Sequence, residues 1–190
     1  MSYASLATCF HEAGHAVIAA HLGIRFFQVN VRRQAAHYNS RDGSRVGPVS
    51  GEVSFYYFCI AYLALGFEDW RDHVRQLLAG GLAERLYYER NLPGRRPYAE
   101  SVRGDLEWAG QLFGQFNQDG AFSFEQARAE VQALVIELFP MIETVAMALK
   151  WEGKLTEAEV VSICGMGERR DPVLARFPEL EGTLMPPTAA

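Results

Sequence analysis

The stretch YASLATCFHEAGHAVIAAHLG, residues 3–23, decides how the fold begins. It is rich in Ala and Leu and contains no Pro, which predicts a helix over residues 3–22. Gly23 then supplies the left-handed backbone that commonly closes a helix. Inside this helix lies His11-Glu12-Ala13-Gly14-His15. Positions i and i+4 of a helix share a face, so His11 and His15 can offer two imidazole nitrogens to one metal ion. Glu12 borders the same site, where it can act as a general base toward a metal-activated water. Zn2+ is the cofactor this pattern calls for, because it lowers the pKa of water toward about 7 and polarises a carbonyl. With five histidines in 190 residues, a His-Glu-x-x-His pentad arises by chance about once in a hundred such chains. The bland alternative is two ordinary polar residues on a half-buried helix. Ala13 and Gly14 are small enough to let another backbone pack against the same turn.

A catalytic zinc site needs a third protein ligand beside an open position. His21 completes the spacing of the metzincin pattern, but helix geometry opposes it. Six residues beyond His15 is about 600° of rotation, which leaves His21 about 120° off the ligand face. Metzincins break the helix at a glycine, whereas Ile18 holds that position here. His21 is therefore expected at the surface or the helix end.

Working outward, residues 24–33 (IRFFQVNVRR) alternate loosely and are rich in β-branched and aromatic types, as in a strand. Gln34 to Ser50 reads as loop or hairpin, and Glu52 to Phe58 as a second strand. Apolar residues at Val74, Leu77, Leu78, Leu82 and Leu86 mark a helix from Asp69 to Arg90. Pro93, Gly94 and Pro97 make Asn91 to Ser101 a loop, and Asp105 to Phe116 resumes a helical pattern. Ser123 with Gln126 suggests a capping box opening a helix that Pro140 should end or kink. Thr156 with Glu159 suggests a second box before a short helix through Ile163. The fold class expected is α+β, mainly α-helical, with a small sheet after the first helix. One domain over residues 1–168 and a Pro-containing tail over residues 169–190 complete the plan.

Composition narrows the function classes. Hydrophobic residues make up 49% and charged residues 22%, which suits a globular domain with a core rather than a disordered chain. A formal net charge of −5 opposes a nucleic-acid binder, which needs a basic face. Cys9, Cys59 and Cys164 are odd in number and contain no Cys-x-x-Cys pair, which fits reduced thiols and a cytoplasmic protein. The uncharged run between Glu52 and Glu68 falls short of the roughly 18 apolar residues a spanning helix needs, so no transmembrane segment is expected. It reads as a buried strand leading into an apolar segment.

Four segments, in order, resemble one known family. Phe10-His11-Glu12-Ala13-Gly14-His15-Ala16-Val17 resembles the zinc helix of the peptidase domain of FtsH-like ATP-dependent metalloproteases. Ala79-Gly80-Gly81-Leu82-Ala83-Glu84-Arg85 is similar to that family's Gly-Gly-Arg-x-Ala-Glu-Glu segment, and Arg103-Gly104-Asp105-Leu106-Glu107-Trp108-Ala109 to its Ser-Asn-Asp-Leu-x-x-Ala segment. Ala148 to Thr156 is similar to the family's closing helix and turn. The resemblance implies Asp105 as the third zinc ligand, with Glu84 close to the metal and orienting a ligand histidine. Asp105 as a plain helix cap, and Glu84 as a surface charge or salt-bridge partner, remain alternatives. Leu82, Arg85 and Gly104 depart from the family pattern, and the loop from Arg90 to Ser101 is longer. These changes touch the substrate groove and subunit contacts rather than the ligand set. No ATPase module or membrane anchor accompanies the domain in these 190 residues.

The expected function is therefore zinc-dependent endopeptidase action on peptides or unfolded, flexible protein segments without ATP. Glu12 would be the base, and the strand at Glu52 to Phe58 could pair with an extended substrate. The resemblance also implies a homo-oligomer. The alternative is a non-catalytic, zinc-stabilised module that binds peptides or a partner protein; an esterase would use the same residues.

Overall fold

The computed structural model describes residues 5–31, 37–38, 45–46, 52–55, 70–95, 102–117 and 120–167. The fold is α+β and mainly helical. Helix α1 (Leu6–Leu22) opens on Ser5, whose hydroxyl accepts from the Thr8 N–H at 3.0 Å. It closes on Gly23, at φ 88°, whose N–H returns to the Ala19 carbonyl. Every residue from Cys9 to Ala20 is buried. A helix covered on all sides is a central element rather than an amphipathic one, and the others wrap it.

Strand β1 (Phe26–Asn30) runs out of this helix. Strands β2 (His37–Tyr38) and β3 (Arg45–Val46) form a separate two-residue antiparallel ladder, within the stretch expected to be loop or hairpin. Strand β4 (Glu52–Phe55) pairs antiparallel with one side of β1, Val53 opposite Val29. The rest of the uncharged run after Phe55 lies outside the described residues.

Helix α2 (Trp70–Asn91) packs along α1, and α3 (Arg103–Phe116) lies at the surface with Ala109 as its one fully buried residue. Helix α4 (Phe124–Glu137) starts at Ser123, but only half of the expected box forms. Ser123 accepts from the Gln126 N–H, while the Gln126 side chain turns away to Glu130. Pro140 falls in the first turn of α5 (Phe139–Glu152), and the chain bends by 73° between α4 and α5. Proline lacks the N–H needed to continue α4 but is well placed to begin a helix. No single described helix is long and apolar enough to cross a membrane. The bent α4–α5 pair has the length and composition, yet it buries residues such as Val131, Ile142 and Leu149 in the core.

A short strand, β5 (Lys154–Thr156), joins the other side of β1, giving the order β4-β1-β5. Helix α6 (Glu157–Ile163) follows through a complete capping box, Thr156 and Glu159 bonding reciprocally. Glu157 ties this helix to the sheet, bonding Arg25 at 2.7 Å and accepting from the Phe26 N–H. Cys9 and Cys164 are free and buried, and burial pushes the Cys9 thiol up to about 11. Cys59 and the tail from residue 168 lie outside the described residues.

Candidate metal centre

The site is built where α1 and α2 cross with little between them. A Cβ on Gly14 would lie 2.6 Å from the Ala83 methyl and 2.9 Å from the Ala79 carbonyl oxygen, so the two backbones are nearly in contact. A Cβ on Gly80 would collide with the His15 ring. The helices run antiparallel, since His11 meets Glu84 and His15 meets Gln76 and Gly80. Gln76, Gly80 and Glu84 recur every four residues and so line one face of α2.

That face settles the tautomers. His15 Nδ1 lies 2.8 Å from the Gln76 main-chain carbonyl oxygen, which can only accept, so Nδ1 carries a proton and donates. His11 Nδ1 lies 3.1 Å from Glu84 Oε2 and donates to that carboxylate. In neutral rings, both Nε2 atoms are then bare acceptors. They point at each other, 3.1 Å apart. Asp105, in the first turn of α3, brings Oδ2 to 3.0 Å from His11 Nε2 and 3.3 Å from His15 Nε2. Three electron-rich atoms thus form a nearly equilateral triangle in a largely buried site. Such an arrangement needs positive charge at its centre, as protons or as a metal ion.

With protons there, the groups polarise one another. Burial alone would pull His11 down, but hydrogen bonds to Asp105 and Glu84 outweigh it and push the ring up to about 10. Burial opposes charge on His15 too, and the Asp105 carboxylate outweighs it, so His15 is also raised. Burial would lift Asp105, yet the charge of His15 and the hydrogen bond from His11 hold it well below the usual carboxylate range.

The donor set fits a metal ion. A tetrahedral zinc with ligands at about 2.0–2.1 Å holds them roughly 3.3–3.4 Å apart. The observed sides of 3.0, 3.1 and 3.3 Å need only a slight opening. Each imidazole already donates its other N–H to an acceptor, the support that metal-bound histidines ordinarily have. Glu12 is buried on the same helix, close enough for its charge to favour protonation of both rings.

The five residues singled out from the sequence, His11, Glu12, His15, Glu84 and Asp105, therefore come together. Asp105 does not cap α3, since Val102 occupies that position, and Glu84 is a buried partner of His11 rather than a surface charge. His21 is exposed near the end of α1, on a different face from the site. Two participants were missed, the Gln76 carbonyl and Gly80. The four-residue spacing of Gln76, Gly80 and Glu84 was the available signal. No protein-family model matches the chain, and no curated protein is significantly similar to it in sequence.

Proposed function

We propose that the protein is a zinc metallopeptidase in which His11, His15 and Asp105 hold the ion and Glu12 is the general base. The observation that carries this reading is the convergence of His11 Nε2, His15 Nε2 and Asp105 Oδ2, with both Nδ1 atoms already committed to acceptors. Two imidazoles and a carboxylate also suit ferrous iron. Glu12 favours hydrolysis, because a buried carboxylate beside the ligands is placed to move a proton and has no evident part in holding the metal. The ordered FtsH-like segments of the sequence support the same reading.

Zinc would supply a polarised carbonyl and a readily ionised water. The chain's residues do the rest. Glu12 takes the proton from the attacking water and returns it to the leaving amine. Glu84 and the Gln76 carbonyl fix the two rings with Nε2 inward. Strand β4 forms one edge of the described sheet and could align an extended peptide by main-chain pairing.

The test combines metal analysis with hydrolysis of unfolded peptides by the purified protein. We expect about one zinc per chain, strong loss of zinc in Asp105→Ala, and retained zinc with at least a ~1,000-fold loss of cleavage in Glu12→Gln. Iron in place of zinc would overturn the choice of ion, and iron without peptide cleavage would overturn the hydrolytic reading. Full zinc occupancy with no cleavage would leave a zinc-stabilised peptide-binding module.

A further inference from the structure

A cleft of about 230 Å³ opens between α2, α3 and α4. Leu77, Leu78, Leu82, Val102, Leu106 and Phe124 make it apolar. Asp105 forms part of the same wall, so one carboxylate belongs both to the cleft and to the histidine cluster. An occupant of the cleft therefore meets Asp105, one of the three proposed ligands. The volume is below the roughly 300–1,000 Å³ of pockets that enclose a whole small ligand, and suits one large side chain.

Two arginines also line the cleft, and they differ. Arg85 is already paired with Glu89 at 2.7 Å, one helical turn along α2. Arg128, on α4, is exposed, and its side chain makes no hydrogen bond or ion pair with another described residue. A guanidinium at the edge of an apolar recess is suited to a carboxylate carried by the same molecule that fills the recess. A narrower groove continues from Leu82 and Arg85 along α2 and α4 past Leu86 and Ile136, giving the rest of such a chain a path away from Asp105.

Resting on the metallopeptidase reading, we propose that this cleft is the subsite for the substrate residue beside the scissile bond. It takes a large apolar side chain, and Arg128 engages a carboxylate of the same peptide. That carboxylate comes either from an acidic side chain or from the peptide's own C-terminus.

The test uses fluorogenic peptides and the zinc-loaded full chain. Peptides carry Phe or Ala beside the scissile bond, Asp or Asn further along, and a free or amidated C-terminus. We expect about tenfold higher kcat/KM for Phe over Ala and about fivefold for the carboxylate-bearing peptides. Loss of the preference on Asp→Asn assigns it to a side chain, and loss on amidation assigns it to the C-terminus. Arg128→Ala should erase it and Arg128→Glu reverse it. Leu106→Trp, at a half-exposed position, should narrow the cleft and abolish the preference for Phe. The same peptides are then titrated by fluorescence anisotropy against zinc-loaded Glu12→Gln. Cleavage indifferent to Phe, to the carboxylate and to Arg128 would overturn the subsite while leaving the peptidase reading intact. Selective binding that depends on Arg128, without cleavage by the unaltered protein, would keep the cleft as a peptide-binding site but overturn its place beside a scissile bond, together with the peptidase reading. Neither binding nor cleavage would overturn both.

Discussion

The glycines of the α1–α2 crossing and those of α3 sit in opposite surroundings. Gly14 and Gly80 have no room for a Cβ, because Ala79, Ala83 and the His15 ring occupy the space it would take. Gly104, Gly110 and Gly114 have nothing within 4 Å of the same point. In the crossing, absence of a side chain brings two backbones close and seats an imidazole between them. On α3 it only weakens the helix, which already lacks a side-chain cap and buries a single residue fully. The histidines therefore stand on a stiff frame, and Asp105 arrives on a lightly held one. Helix α3 is fastened at its far end, where Phe113 and Phe116 pack on Trp70. The Asn117 side chain bridges both main-chain groups of Phe122 across the turn that follows. At its near end, Val102 packs on Gly81, and Asp105 reaches the two histidines. A metal ion at the triangle would therefore organise α3 more than it organises α1.

The most disruptive way to challenge this contrast is Gly80→Ala. The added methyl would occupy the space of a fully enclosed ring, which has nowhere to retreat. Overpacking of this kind costs about 1–3 kcal/mol, and displacing His15 Nε2 should lower zinc affinity by about 100-fold. Denaturant unfolding and zinc titration would measure both. A variant that unfolds and binds zinc like the unaltered protein would mean the crossing is loose, and the contrast with α3 would disappear.

A second challenge is pH. His11 is raised to about 10 from an ordinary 6.5. Its contribution to stability in the chelated protein is thus complete below about 6.5 and is lost as pH climbs toward 10. Asp105 is lowered, so its contribution is complete above about 4 and is lost as pH falls further. The cluster should stabilise the chelated protein most between about pH 4 and 6.5. Zinc must displace those protons, so its affinity should rise by about tenfold or more per pH unit between about 6.5 and 8. Calorimetry in buffers of different ionisation enthalpy would count the protons released. Hydrogen exchange should show zinc slowing the amides of α3 far more than those of α1. Affinity flat across this range would mean that the rings are not protonated in competition with the metal.

How much of this was legible in the sequence depends on how local each interaction is. His11 and His15 are one helical turn apart, so their common face follows from periodicity alone. The ends of α1 and α6 were readable for the same reason, since Gly23 and the Thr156–Glu159 pair act within a few residues. β5 was not readable: the three residues after Gly153, the last of them the cap of α6, carry no strand pattern, and Leu155 becomes part of a strand only by lying opposite Val29. Asp105 is 90 residues from His15, and its own surroundings suit a helix cap equally well; only the resemblance of the segment singled it out. The spacing of Gln76 from Glu84 marks the shared face, but the acceptor there is a main-chain oxygen, which no residue type announces. In the cleft, Leu77, Leu78 and Leu82 read as part of a core stripe, and only the approach of α3 and α4 turns that stripe into a wall.

The smallest expected effect tests the other side of the comparison with the same chemical change. Gly110→Ala and Gly114→Ala each add a methyl to the interior of α3 where the space is open. Alanine loses less backbone entropy on entering a helix, so each substitution should stabilise the helix by about 0.5–1 kcal/mol. Zinc content should stay the same, because neither methyl meets the site. The effect should be clearest in the chelated protein, where Asp105 is held by the protonated histidines alone, and hydrogen exchange along α3 would read it directly. Destabilisation by either methyl would mean that these glycines serve a close contact with something outside the described residues. The methyl that harms at Gly80 would then harm on α3 as well, and softness would no longer distinguish the helix that carries Asp105.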